Sequence, residues 1–193
     1  LFRRIEALIA EGMPEGYEFA AQPNAVAESV LAASTWAVLA LTCHIELFTQ
    51  VHYRLSIAPD EALSPLFQDV FLHHWREESQ HAVIDELEWV REDASLDAAA
   101  RDRAVDDFIA LVGAVDDLLQ AHARADSRCF MRLIDRRLGQ DEASALQHGV
   151  LQAYRWQYIV SGAQEPRFDA TLRRLVTPEQ AQRIARAIAP LCV

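Results

Sequence analysis

The chain has 193 residues, of which 51% are hydrophobic and only six are glycine. This length suits one domain with a substantial core. The abundance of alanine and leucine favours an all-α fold, in which residues 1–193 form a single helical-bundle domain. The formal net charge of −11 repels phosphate backbones, and no basic stripe offsets it, so the sequence argues against nucleic-acid binding.

Two helices are predicted in the first third of the chain. Residues 1–11 have the pattern of a short amphipathic helix that ends at Gly12, and residues 16–23 are predicted to form a loop. Asn24 is the predicted N-cap of a long helix over residues 25–57, which is apolar nearly all round in its middle. Such a helix is expected at the centre of a bundle.

The apolar run at residues 30–41 has the composition of a membrane span but not its length. It covers 12 residues and continues into His44 and Glu46. A helix needs about 20 apolar residues to cross a bilayer. We therefore expect a buried core helix and no contact with a membrane.

The next two segments are predicted to be long helices. Ser64 supplies an N-cap, and Pro65 occupies the first helical position of a helix that reaches about residue 92. A third periodic segment begins at Ser95 or Asp97 and continues to about residue 138. Because this segment is so long, we expect a kink or a break along it.

The C-terminal part of the chain is predicted to add further helices to the bundle. Asp141 is the predicted cap of a helix that reaches about Gly162, and a turn is expected around Pro166. Residues 177–180, Thr-Pro-Glu-Gln, have the form of a capping box. They predict a last helix that Pro190 ends.

The cysteines and the first residue bear on where the protein works and how long it is. The three cysteines are far apart and include no Cys-x-x-Cys pair: Cys43, Cys129 and Cys192. This usage fits a reducing compartment, so we expect a cytoplasmic protein. The chain begins at Leu1 without an initiator methionine, and we expect the natural N-terminus to lie upstream.

The most informative motif is His74-His-Trp-Arg-Glu78-Glu-Ser-Gln-His81, on the second long helix. Its spacing places the side chains of His74, Glu78 and His81 on a single stripe, which Asp85 continues. Neutral imidazole and carboxylate together suit iron, zinc or manganese. Glu-x-x-His is also the unit that di-iron helical bundles project inward.

A solvated acidic helix face is the simpler explanation for any one of these residues, but two features favour a metal. The opposite face of the helix is itself polar and makes a natural solvent side: Arg76, Ser79 and Gln80. Apolar residues flank the stripe before and after it along the chain: Val70, Phe71, Leu72, Val83, Ile84 and Leu87. Buried carboxylates and imidazoles need partners, and a metal ion is a common one.

The preceding helix offers one more ligand, Glu46, in an otherwise apolar stretch. Glu46 and Glu78 lie a similar number of residues before and after the short turn between the helices. Equal rises per residue therefore bring the two carboxyls to similar heights on antiparallel neighbours. Glu46 is predicted to bridge or terminally bind the metal. Tyr53 and Cys43 share its face and are candidates for residues that support the ligands or line a pocket, although simple core packing is the favoured explanation for both.

The other histidines are weaker candidates. His122, with Asp126 one turn further on, lies on the apolar seam of the third helix and is an alternative ligand. His44 and His52 point away from Glu46 on a regular helix, so they are predicted at the surface or at the edge of the core.

A count of ligands leaves two explanations open. A carboxylate-bridged di-iron site takes a Glu from each of two helices and a Glu-x-x-His from each of two others. This chain has one such set, Glu46 with Glu78 and His81, and His74 as an addition. Either the partner helices precede Leu1, or the site is mononuclear and completed by water or by His122.

These residues also carry a resemblance to a known family. Glu46, then Ser64-Pro65-Leu66, then His-x-x-x-Glu-x-x-His at 74–81 resemble the C-terminal half of the ferritin-like di-iron family that includes the p-aminobenzoate N-oxygenases. The resemblance covers about residues 30–90. It implies that the 74–81 motif lies on the last core helix and that Glu46 bridges the irons. The family's first Glu and its Glu-x-x-His lie on two earlier helices, which this chain does not contain.

Together, the motif and the resemblance predict a ferritin-like helical bundle with additional C-terminal helices. We expect it to bind a di-iron centre and to oxidise a small organic substrate with O₂. The expected ligands are Glu46, His74, Glu78 and His81, and Asp85 is expected to orient His81. Aromatic residues near the stripe are candidates for the walls of a substrate pocket: Phe71, Trp75 and Trp89.

Several alternatives remain open at this point. Manganese or zinc could replace iron, and a homodimer is an alternative to a monomer. A non-catalytic metal-binding bundle would use the same residues without oxygen chemistry. A helical interaction domain with no metal would use the His/Glu stripe as an ordinary ion-pair network.

Overall fold

The computed structural model describes residues 2–17 and 22–192, and within them the chain is helical without a strand. This confirms the all-α prediction. The helices are α1 (Phe2–Gly12), α2 (Pro23–Leu31), α3 (Thr35–His52), α4 (Pro65–Asp93), α5 (Ala98–Leu133), α6 (Gln140–Arg155), α7 (Ser161–Ala163), α8 (Pro166–Leu175) and α9 (Pro178–Ile188). None of the described helices is long and apolar enough to cross a membrane.

Helices α3 and α4 form the antiparallel pair that the sequence predicts. A π-helical turn at Tyr53–Ile57 extends α3, and a short loop leads to α4. The Ser64 side chain accepts a hydrogen bond from the Phe67 N–H at 3.2 Å, and Pro65 occupies the first turn. The predicted cap is therefore confirmed. Because the connection is short, it fixes the register of one helix against the other.

The core lies where α3, α4, α5 and α8 meet, and aromatic side chains fill it. The ring of Trp36 packs edge-on against Trp89, with centroids 5.2 Å apart, and against Phe108. Trp89 in turn stacks on Phe168 at 5.7 Å. Buried aromatic rings contribute large apolar areas and specific ring–ring contacts, so this cluster holds α3 against α4.

A buried carboxylate closes the end of this core. Asp93 accepts hydrogen bonds from Trp36 Nε1 at 2.9 Å and from Arg101 Nε at 2.6 Å. The guanidinium of Arg101 compensates the charge that burial would otherwise penalise. The same ion pair links α4 to the start of α5, whose N-cap is Asp97 through the Ala100 N–H.

The predicted helix boundaries need several corrections. The helix predicted over residues 25–57 is divided in two, with α2 beginning at Pro23 rather than after an Asn24 cap. In the break, the Ser34 N–H donates to Asp107 Oδ2 at 3.0 Å. A hydrogen bond from outside the helix thus satisfies the backbone there.

Further corrections concern the C-terminal half. Helix α5 runs uninterrupted to Leu133 and stops short of residue 138, because Ile134 is extended. Helix α6 has Gly139 rather than Asp141 as its N-cap. Pro166 begins a helix that the sequence analysis described only as a turn. The capping box at residues 177–180 is confirmed at the start of α9.

The segment that follows α6 packs closely on α3 through a histidine and a glycine. The His44 ring is buried, and its Nε2 hydrogen-bonds to the Ile159 carbonyl at 2.8 Å, in the π-helical turn at Trp156–Val160. A Cβ at Gly162 would lie 2.6 Å from His44 Nε2. Gly162 therefore allows α7 to approach α3 at this point, and a larger residue would push them apart.

We expect Gly162→Ala to destabilise the protein by about 1–3 kcal/mol, because the added methyl overlaps a ring that its own hydrogen bond holds in place. Gly149→Ala is the matched control, since a Cβ at Gly149 in α6 meets nothing within 4 Å. It should stabilise the helix by about 0.5–1 kcal/mol. Urea denaturation measures both, and equal effects of the two substitutions would contradict this packing.

Candidate metal centre

Three side chains from α3 and α4 converge between the two helices. Glu46, Glu78 and His81 each offer one potential ligand atom, and these atoms all lie within 4.8 Å of one another. The antiparallel register predicted this meeting of Glu46 with Glu78. Within the described ranges, no second group of three His, Cys, Asp or Glu side chains lies as close together.

The two histidines of the stripe both face the Glu78 carboxylate. His74 Nε2 lies 2.8 Å from Glu78 Oε1, and His81 Nδ1 lies 2.8 Å from Glu78 Oε2. The glutamate is largely buried, whereas the side chains of His74 and His81 are 50% and 48% exposed. The centre therefore lies at the edge of the α3/α4 layer, with its histidines on the solvent side.

The pKa values of Glu46 and Glu78 are shifted in opposite directions. Burial raises the pKa of Glu46 to about 8, assisted by its hydrogen bond with Glu78 and by the charges of Glu78 and Asp85. Burial opposes ionisation of Glu78 as well. Hydrogen bonds from Glu46 and His81 outweigh this effect, and the pKa of Glu78 is lowered. At neutral pH the metal-free pair is therefore one neutral acid and one carboxylate.

A divalent cation fits this arrangement. Atoms that share one metal at bond lengths of about 2.0–2.2 Å lie roughly 3–4 Å apart, so small side-chain adjustments would suffice here. The cation would replace the proton between Glu46 and Glu78 and would draw the imidazole nitrogens that now face Glu78. A mixed carboxylate and imidazole donor set suits iron, manganese or zinc.

The predicted supporting residues lie near the centre in different roles. The charge of Asp85 acts on Glu46, but the hydrogen-bond partner of His81 Nδ1 is Glu78. The proposed orienting role of Asp85 thus stays a prediction. Tyr53 stacks on Trp75, with ring centroids 5.0 Å apart. The Phe71 ring lies 6.3 Å from the ring of His74.

The His122 alternative gains no support from its surroundings. Asp126 accepts hydrogen bonds from Tyr17 at 2.6 Å and from Tyr154 at 2.5 Å, so this carboxylate is already engaged. His122 Nε2 is buried and has no hydrogen-bond partner among the residues that the structure describes, and His122 does not belong to the group around Glu46.

Two residues lie deeper than the sequence analysis predicted. His44 is 6% exposed and packs against Phe48 and Phe168, so its prediction at the surface or at the edge of the core is wrong. Its partner, the carbonyl of Ile159, lies in a π-helical turn that periodicity does not reveal. Trp89 is fully buried in the aromatic core, which gives it a packing role rather than a place in a pocket wall.

Glu86, which the sequence pattern did not single out, ties the helix of the centre to the C-terminal part of the chain. Its carboxylate accepts from Arg167 Nε at 2.5 Å and from Thr171 Oγ1 at 3.0 Å, joining α4 to α8. The neighbouring Cys43 is buried, and burial, with the charges of Glu86 and Asp85, raises the pKa of its thiol to about 12. It stays a neutral thiol at physiological pH.

Comparison of the chain with models of known protein families, with characterised proteins and with solved structures finds no match.

The pKa of Glu46 makes the stability of the metal-free protein depend on pH. The pKa of Glu46 is about 8 in the folded state and 4.5 in the unfolded state, so the folded state binds its proton more tightly. The resulting contribution to the free energy of unfolding is fully present below pH 4.5 and is lost as the pH rises through 8. With chelator present, we expect the parent to lose about 1–2 kcal/mol relative to Glu46→Gln between pH 5 and 8.5, after discounting for solvent screening. Parallel urea-denaturation profiles for the two proteins would contradict this.

Proposed function

We propose that the α3/α4 centre binds a transition metal. The observation that carries this proposal is the meeting of two carboxyls and an imidazole from different helices, with ligand atoms within 4.8 Å of one another. Burying two acidic groups side by side costs free energy: burial first, and then the contact with Glu78, raises the pKa of Glu46. A bound cation would turn this unfavourable contact into a favourable one.

The residues divide the work of holding the ion. Glu78 lies at the middle of the centre, because both histidines and Glu46 face its carboxyl oxygens. Glu46 would bind terminally or bridge, and it must lose its proton to do so. His81 and His74 would each supply an imidazole nitrogen. To do so, each ring would give up its contact with Glu78 and bind the ion.

We propose that the metal is iron in a ferritin-like di-iron site and that the protein is an oxygenase or oxidase for a small organic substrate. The Glu46 and His-x-x-x-Glu-x-x-His pattern supports this, since it resembles the p-aminobenzoate N-oxygenases. Bound ferrous ions would supply the electrons for reduction of O₂. The surrounding protein would hold the substrate near the ions and limit the access of water.

The surroundings of the centre favour a flat, apolar substrate. Phe71 presents its ring near His74, and the stacked pair of Tyr53 and Trp75 lies one helical turn from Glu78. Aromatic rings offer stacking and edge contacts to another ring. The half-exposed histidines leave an approach for such a molecule from the solvent side.

Metal binding is tested by iron content after anaerobic loading with ferrous iron and removal of the excess. We expect the parent to retain at least about one iron per chain, and Glu78→Ala and His81→Ala to retain less than a tenth of the parent's content, because each removes a ligand. His73→Ala is the matched control, because the exposed His73 imidazole, next to His74 in sequence, faces Asp69 and not Glu78. Parent-like iron content in both ligand variants would rule out this centre.

Oxygen chemistry is tested by mixing the anaerobic, iron-loaded protein with O₂. We expect a new absorption band and oxygen consumption that exceeds the rate of free ferrous iron at the same concentration. Glu46→Gln should slow the appearance of the band and the consumption of oxygen at least tenfold, because an amide is a poor substitute for a bridging carboxylate. Zinc-loaded protein is the control and should show no change. Stoichiometric iron that reacts no faster than free iron would leave a metal-binding protein without this activity.

A further inference from the structure

The exposed side of α4 carries a stripe with the spacing of a coiled-coil seam. Residues 67, 70, 74, 77, 81 and 84 follow one another at intervals of three and four, and all six are exposed. The outer positions are apolar and the inner ones include both site histidines: Phe67, Val70, His74, Glu77, His81 and Ile84. A seam of this spacing normally packs against another helix.

The apolar side chains of this stripe are more exposed than apolar residues usually are. Val70 is 56% exposed and Ile84 is 55% exposed, on either side of the candidate metal centre. Ile45, next to Glu46 on α3, adds a further exposed apolar side chain. Apolar residues that surround a polar centre and face solvent together are typical of a binding surface.

The ligand count indicates what covers this surface. A four-helix di-iron site needs two Glu and two Glu-x-x-His units, and one chain provides one of each: Glu46, and residues 78–81. Two copies supply the complete set. Their four carboxylates from Glu46 and Glu78 also balance the charge of two divalent cations.

The stripe is self-complementary about its centre. Val70 and Ile84 each lie seven residues from Glu77, and His74 and His81 lie three and four residues from it. Antiparallel pairing about a two-fold axis at Glu77 therefore sets Val70 against Ile84 of a second copy, and places His74 one residue from the position opposite its His81. An isologous interface requires this kind of symmetry.

We infer that two copies of this chain pack their α3/α4 layers together and build one two-metal site at the interface. This inference rests on the proposed metal centre and adds the source of the remaining ligands. Without metal, the Glu78 carboxylates of the two copies repel each other across the interface, and bound cations would remove that repulsion. Pairing of the chains is therefore metal-dependent.

Sedimentation velocity on the full chain tests this, with iron content measured on the same samples. The metal-free protein should sediment as a 21.7 kDa monomer. After anaerobic loading with ferrous iron its mass should double, with about one iron per chain. Ile84→Glu should stay monomeric and lose at least tenfold in iron affinity. Because Ile84 faces solvent, its helical circular dichroism should match the parent.

Leu133→Glu is the matched control, since Leu133 is 62% exposed at the end of α5, away from the stripe. It should dimerise like the parent. Iron-loaded parent that remains a monomer, or Ile84→Glu that still dimerises, would overturn the shared site while the metal centre stands. A chain that retains no iron would instead refute the metal centre itself, and the shared site with it.

Discussion

The contact between the carboxyls of Glu46 and Glu78 is the constraint on which the rest of the site depends. Two acidic side chains from different helices share a hydrogen bond, so one of them must carry a proton, and burial assigns that proton to Glu46. Such a contact opposes folding of the metal-free protein at alkaline pH. The two carboxyls stay in contact because the aromatic core, which does not include them, holds α3 against α4.

The architecture separates stability from chemistry along the α3/α4 pair. At one end, Trp36, Trp89 and the Asp93–Arg101 ion pair hold the helices through buried, compensated contacts. Around Glu78 the same helices leave their histidines half exposed. The C-terminal helices reinforce this pair through Glu86 with Arg167, and through His44 with the π-helical turn that follows α6. The outer side is left available for a ligand, a substrate or a second chain.

Much of the centre could be predicted from sequence because it depends on local, periodic geometry. A uniform helical rise and a short connection place Glu46 beside Glu78, and i, i+3 and i+4 spacing places the two histidines on the same stripe. The N-cap at Ser64 likewise depends only on residues within one helical turn.

The features that could not be predicted depend on contacts distant in sequence. The break between α2 and α3 contains neither glycine nor proline, and it is stabilised by Asp107 on α5. The burial of His44 depends on the Ile159 carbonyl, 115 residues away, and on the absence of a side chain at Gly162. The heptad spacing of the α4 stripe is visible in the sequence, but its exposure becomes clear only once the helices are packed.

The most direct test of the central claim is a crystal structure of the iron-loaded protein with anomalous data collected at the iron edge. The account predicts an anomalous peak between α3 and α4, within bonding distance of oxygens from Glu46 and Glu78 and a nitrogen of His81. A peak elsewhere on the chain, or a clear map of this centre with the Glu46–Glu78 hydrogen bond intact and no iron, would contradict it.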